Sequence, residues 1–371
     1  MAKSPTRLTG RILTALALAI VATNCWRHSK SSKSSPEPSP AYYSSSSFVL
    51  DDALAKSDLS ELSASPHPMG SERQRAIAAW LTQRLKSVGI DSISDEFKAV
   101  IPNPAALASN AGPVDLTLER AGINIYTTPI GNRDASCVIA LATHFDTKSL
   151  EGIAYLGAND SGSSTAVLLQ LLAFIKKSND FGRMKCAVVG WFFDGEEAVL
   201  KDWNDGQVVH PAKIIDHTYG SRNLASKLVD CGSEGAPPMC IPRALAPMNS
   251  TNPGRPNGPL LLGLILLDMV GSPDIKLTRT TSTLAELQGE AERGAKELGF
   301  PLLWDSQSLD LENDHTPFFE MGIPTIDLID FKHLDHWHKD SDTPDRIATS
   351  SLNIAGRLAL YLVSVFGTEG S

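Results

Sequence analysis

The sequence predicts an α/β fold: a single domain whose central mixed, mostly parallel sheet is flanked by helices. Three observations support this. Short apolar runs alternate with segments of helical periodicity. Four of the apolar runs end in acidic or histidine clusters. The chain has 371 residues, enough for one large domain or two small ones.

Taken in order, residues 1–25 read as a targeting segment. Lys3, Arg7 and Arg11 precede an apolar run over 12–22, the charged and hydrophobic regions of a secretory signal. An uncleaved amino-terminal membrane anchor is the alternative. Cys25 follows the run and loosely resembles a lipoprotein signal, although Asn24 stands where a small residue is normal. Export is expected: a secreted, periplasmic or membrane-anchored protein. Residues 26–48, rich in Ser, Pro and Lys, cannot build a core and read as a flexible tether. Residues 49–371 form the catalytic α/β domain.

Within that domain, Ile77, Trp80, Leu81, Leu85 and Val88 recur at helical spacing over 74–88, and Gly89 follows as a stop. Residues 136–142 are a buried strand and 163–177 a helix. Residues 185–193 are a strand and 219–229 a helix. Residues 260–270 are a strand, 284–298 a helix, 323–329 a last strand and 350–365 a last helix. The Gly-, Pro- and Asn-rich stretch 231–259 is a long loop, a kind often functional in compact domains. In an exported chain Cys231 and Cys240 are able to pair across it, two free thiols being the alternative. Cys137 and Cys186 fall in apolar runs and read as buried small hydrophobes.

Composition narrows the function. Acidic residues outnumber basic ones, 42 to 33, for a net charge of −9. There is no basic stripe, so nucleic acid is not an expected partner. No apolar run in the body of the chain reaches the length of a standard transmembrane helix.

The chemistry sits at the strand ends, where open α/β sheets bind ligands. The run 136–142 leads into Thr143-His144-Phe145-Asp146. The run 185–193 leads into Asp194-Gly195-Glu196-Glu197. The third strand runs into Asp268, and the last leads toward Trp337-His338. Four such clusters point to one shared site. Zinc suits it, because zinc takes imidazole nitrogen and carboxylate oxygen, and a catalytic site leaves one position open. Adjacent Glu196 and Glu197 make sense if one faces the metal and the other the substrate; two solvated surface acids is the bland alternative. Asp160 in Gly157-Ala158-Asn159-Asp160-Ser161-Gly162 is also placed to cap the following helix, and capping and ligation are compatible. For His144 the alternative is an ordinary part-buried histidine partnered by Asp146.

The order His144-x-Asp146, Asp160, Glu196-Glu197, Asp268, Asp314-His315 and Trp337-His338 resembles the zinc aminopeptidase clan, over about residues 66–362. Its nearest branch resembles the glutaminyl-peptide cyclotransferases. Phe192-Phe193-Asp194-Gly195-Glu196-Glu197-Ala198, the nearby Trp203, Tyr219-Gly220-Ser221-Arg222-Asn223-Leu224-Ala225, Leu266-Leu267-Asp268-Met269-Val270-Gly271-Ser272-Pro273 and Trp337 before His338 are similar to that branch. The resemblance implies one zinc held by Asp160, Glu197 and His338. It implies Glu196 as general acid/base with Asp268 hydrogen-bonded near it, and Trp203, Trp337 and Asp314 at the substrate. His144 and Asp146 are supporting residues or part of a second metal site.

Departures from the branch are visible. Asn313 precedes Asp314-His315 where cyclases typically show an acid. One extra residue separates Glu197 from Trp203. Asn159-Asp160-Ser161-Gly162 and Asp340-Ser341-Asp342-Thr343-Pro344 look more like the peptidases. The expected activity is conversion of an amino-terminal Gln of a peptide to pyroglutamate with release of ammonia. The alternatives are an aminopeptidase using His144, Asp160, Glu197, Asp268 and His338 for two metals, and a non-catalytic binding ectodomain.

Overall fold

The computed structural model describes residues 45–108, 115–132, 134–208, 214–229 and 259–369. The targeting segment, Cys25, most of the tether, Cys231 and Cys240 lie outside the described residues.

Six strands form the main sheet. They are β1 (Ser92–Pro102), β2 (Thr117–Thr127), β3 (Cys137–His144), β4 (Ala187–Phe193), β5 (Leu260–Asp268) and β8 (Thr325–Ile329), in the order β1-β2-β4-β3-β5-β8. The inner four run parallel, and β1 and β2 add an antiparallel ribbon at one edge. All eight residues of β3 and all seven of β4 are buried, as strands covered on both faces require. Two further strands, β6 (Leu277–Thr280) and β7 (Trp304–Leu309), pair in a separate parallel ribbon.

The six longer helices among the described residues are α1 (Asp52–Leu62), α2 (Glu72–Ser87), α3 (Ser164–Lys177), α4 (Tyr219–Val229), α5 (Ala285–Glu297) and α6 (Thr349–Glu369). Asp51 and Ser71 start α1 and α2 by accepting from the backbone N–H groups of Leu54 and Gln74. One face of the sheet packs into a large core with Leu81, Leu168, Leu172, Leu358 and Leu362. The other face, with Val189, Trp191 and Leu264, packs against Leu224, Leu228 and Phe318. The last helix is long and apolar enough to cross a membrane, but most of it is buried in this core.

The strands and helices expected from the sequence are all present, most with ends shifted by one to three residues. Added to them are α1, the β1–β2 ribbon, β6, β7 and short helical turns such as Pro104–Ala108, Asp205–Val208 and Thr316–Glu320. The tether gives way to packed structure before residue 48, because Phe48 is buried and meets Phe174 edge-on with ring centroids 5.4 Å apart.

Cys137 and Cys186 correct the sequence reading. Both are buried, but they form a disulfide, with Cα atoms 4.6 Å apart. The cause is register: Val138 pairs with Ala187 in the parallel ladder, so the residues just before each stand side by side.

Candidate metal centre and pocket

Each inner strand delivers one part of the site at its carboxyl end. β3 ends on His144, β5 ends on Asp268, β4 leads into Glu196 and Glu197, and β8 leads through a loop to His338. Asp160 comes from the turn that enters α3. The sequence-predicted residues therefore converge, and most are almost wholly buried.

The turn after β4 is built by residues that do no chemistry. Asp194 Oδ2 accepts from Gln74 Nε2 at 2.6 Å and from the Ile123 N–H at 2.8 Å, which ties the turn to α2 and β2. Gly195 has φ +72°, and a Cβ there would collide with Met69 Sδ. This is the physical reason for Asp-Gly before the glutamate pair. The Glu196 N–H donates to Asp146 Oδ1 at 3.1 Å, and the same oxygen lies 3.5 Å from His144 Nδ1. Asp146 thus orients both a histidine and a glutamate.

Two clusters of ligating atoms share Asp160. In the first, His338 Nε2 lies 3.4 Å from Asp160 Oδ2 and 3.3 Å from Glu197 Oε2. In the second, His144 Nε2 lies 3.1 Å from Asp160 Oδ1 and 3.4 Å from Asp268 Oδ1. Both oxygens of Glu197, His338 Nε2 and Asp268 Oδ1 are buried without a hydrogen-bond partner. Buried polar atoms are rarely left so. Zinc bonds of about 2.0–2.2 Å place tetrahedral ligands roughly 3.3–3.5 Å apart, the spacing seen in the first cluster. The donor set fits a zinc-like cation.

Negative charge accumulates among these buried groups. Burial pushes the Glu196 and Glu197 carboxyls up, and neighbouring carboxylates add to the effect. Burial acts to lower His338, but Glu197 and Asp160 outweigh it and hold the imidazole up to about 9. A bound cation would relieve this excess of negative charge.

A cavity of about 280 Å³ opens over the clusters, with Glu196, His217, Asn313, Trp203 and Trp337 among its walls. Three rings stack there: His338 lies 5.7 Å from Trp203 and 4.0 Å from Trp337 between centroids. Trp203 and His338 both have left-handed backbone, φ +51° and +54°. That conformation costs a non-glycine residue about 1–2 kcal/mol, and it concentrates at functional sites.

Two expectations are corrected. Asp268 does not take its hydrogen bond from the Glu196 side; Oδ2 accepts from Asn313 Nδ2 at 2.9 Å, because the amide at 313 is itself a donor. Asp314, expected at the substrate, is wholly buried and does not line the cavity; its neighbour Asn313 does. The turn closed by the Thr316 N–H on the Asn313 carbonyl, 2.8 Å, presents Asn313 forward and leaves Asp314 beneath. Burial pushes Asp314 up to about 7.

Four site residues were not singled out from the sequence. Tyr155 Oη donates to Asp160 Oδ2 at 2.9 Å. Asp342 accepts from the Asn159 N–H at 2.8 Å and the Asp160 N–H at 3.3 Å, fixing the ligand-bearing turn. Lys148 Nζ donates to the Ala198 carbonyl at 2.7 Å and lies 4.1 Å from the Trp203 ring centroid. His217 packs edge-on against Trp203 at 4.9 Å. Asp342 lay in the quoted stretch 340–344; the other three sit in loops with no motif spacing to expose them.

Comparison with known proteins places the chain in a family. The model of Peptidase family M28 matches residues 124–363. The glutaminyl-peptide cyclotransferase of Drosophila melanogaster is 26% identical over 262 residues, 64% of each chain. That of Bos taurus is 27% identical over 270 residues, 64% of this chain and 67% of its own. The match thus spans about two-thirds of these curated relatives. Among solved structures, an Acidobacteriales bacterium glutaminyl cyclase has a TM-score of 0.64 at 24% identity, covering 92% of this chain and all of its own. A leucine aminopeptidase precursor from Bacteroides thetaiotaomicron has a TM-score of 0.63 at 18% identity, covering 85% of this chain and 97% of its own. At these identities the structural likeness speaks to the fold.

Proposed function

The chain belongs to peptidase family M28, and within that family we propose that it is a zinc-dependent glutaminyl-peptide cyclotransferase, an acyltransferase acting on peptides and proteins that begin with Gln. The observation that carries the reading is the ring stack of Trp203, His338 and Trp337 over a small cavity beside Glu196. A Gln residue folded back on itself is compact and suits a small cavity with flat aromatic walls. The curated relatives' names point the same way.

Asp160, Glu197 and His338 would hold one zinc. That ion would supply Lewis acidity toward the side-chain amide carbonyl. The substrate's own α-amine is the nucleophile, so its deprotonation is the protein's task. Glu196 takes a proton from the amine and returns it to the departing ammonia. Its carboxyl, pushed up by burial, suits both directions of transfer. Asp146 fixes the backbone at Glu196, and Tyr155 and Asp342 fix Asp160. Trp203 and Trp337 hold the substrate side chain and exclude water, which would otherwise hydrolyse the amide.

The Cys137–Cys186 disulfide supports the exported location, since such bonds persist in oxidising compartments.

A second reading rests on His144, Asp160 and Asp268, whose ligating atoms also converge. With a second metal there, the site would serve an aminopeptidase with Glu196 activating water. Parallel assays of ammonia release from Gln-initiated peptides and of Leu-anilide cleavage separate the two. The cyclotransferase reading expects the first to be faster; anilide cleavage without ammonia release would overturn it.

A further inference from the structure

His217 is a buried titratable group of the cavity wall that the chemistry above leaves without a task. It is 3% exposed, and its Nδ1 has no hydrogen-bond partner. That nitrogen lies 3.8 Å from Glu196 Oε1. The opposite nitrogen, Nε2, lies 3.7 Å from Glu312 Oε2, and the Glu312 side chain is 41% exposed. His217 therefore spans the gap between the buried carboxyl and a carboxylate at the surface. Its position is fixed: the next residue's N–H, on Thr218, donates to the Glu196 carbonyl at 2.8 Å.

The other charged groups facing this imidazole are few. Arg222 pairs with Glu312 and donates from Nε to Thr218 Oγ1 at 3.1 Å. Asp216 accepts the His217 backbone N–H at 3.2 Å. The ring contact is Trp203. Catalytic hydrogen bonds are often long before substrate arrives, so gaps of this size are compatible with transfer.

The proposed reaction needs such a path. A peptide α-amine has a pKa of about 8, so near neutral pH most substrate arrives as ammonium. The ammonium nitrogen must lose two protons to become the lactam nitrogen. A carbon–nitrogen bond forms from the amine to the amide carbon, and the carbon–nitrogen bond to the leaving group breaks. One of the two protons goes to that leaving group, which departs as ammonia. With the leaving group departing as neutral ammonia, the other has no place in the products and must reach solvent.

We propose that His217 carries this surplus proton from the pocket to Glu312, accepting at Nδ1 while releasing from Nε2. The inference rests on the cyclotransferase reading, because amide hydrolysis has no such surplus.

The test is the pH dependence of kcat for a Gln-initiated peptide in wild type, His217→Gln and Glu312→Gln. At pH about 6.5, where the substrate is ammonium, each variant should lose about tenfold or more in kcat, with KM little changed. At pH about 9.5, where the substrate binds as free amine, the loss should shrink to about twofold or less. The double variant should be no slower than either single one. His217→Phe, which keeps a ring against Trp203, should show the same pH pattern. An equal loss at both pH values, or a normal rate for Glu312→Gln at the lower one, would overturn the relay and leave a packing role. Wild-type enzyme that fails to cyclise the peptide at any pH would instead end the cyclotransferase reading, and the relay with it.

Discussion

Asn313 donates its side-chain amide to Asp268 Oδ2 across 2.9 Å, inside the protein. The same nitrogen also donates to Asp327 Oδ2 at 3.1 Å. One neutral residue thus links two buried carboxyls, and Asp268 Oδ1 is left facing His144 Nε2 at 3.4 Å. A carboxylate at 313 would accept where the amide donates.

Removing that amide should therefore destabilise the fold. Asn313→Ala leaves two buried carboxyl oxygens without a donor, at about 1–3 kcal/mol each. Denaturant unfolding should show a loss of roughly 2 kcal/mol or more. A midpoint unchanged from wild type would mean that water or a cation already satisfies Asp268 and Asp327.

Glu196→Gln keeps the shape of the side chain and removes the proton carrier. Turnover should fall on the order of 10²–10⁴-fold while zinc content stays at the wild-type level. Steady-state kinetics with elemental analysis of the same sample measures both. A near wild-type rate would remove Glu196 from the mechanism.

Zinc content should respond unequally to the two clusters. Asp160→Ala, Glu197→Ala and His338→Ala each remove a ligand of the first cluster, and each should abolish tight binding. His144→Ala removes a ligand atom of the second cluster only, although it also loses the contact to the shared Asp160, and should leave one zinc per chain. Loss of one of two zincs in His144→Ala would favour the aminopeptidase arrangement of His144, Asp160 and Asp268.

The disulfide should matter for stability. It joins residues 49 apart in sequence, and closing a loop of that length constrains the unfolded chain by about 4 kcal/mol in the chain-entropy model. Cys186→Ala should lower the unfolding free energy by roughly 2–5 kcal/mol, read from denaturant midpoints. A midpoint matching wild type would show that the bond does not form in the folded protein.

What the sequence disclosed follows from burial. β3 and β4 are covered on both faces and read as continuous apolar runs. β1 is partly exposed, and Asp95, Glu96 and Lys98 break up its apolar residues, so its sequence carries no continuous apolar run. The strand-end acids were legible because each terminates such a run. Cys137 and Cys186 were not, because pairing them requires the register of two strands joined by a crossover. Tyr155, Lys148 and His217 enter the site from loops, and only the folded chain brings them to Asp160, Glu197 and Glu196.

The most direct test of the central claim uses one peptide that begins with Gln and a mass spectrum of its product. A cyclotransferase returns the peptide with every residue present and one ammonia lost. Wild-type enzyme with zinc is expected to give that product, and Glu196→Gln far less of it. A product shortened by its first residue, with free Gln released, would contradict the account and identify the chain as an aminopeptidase.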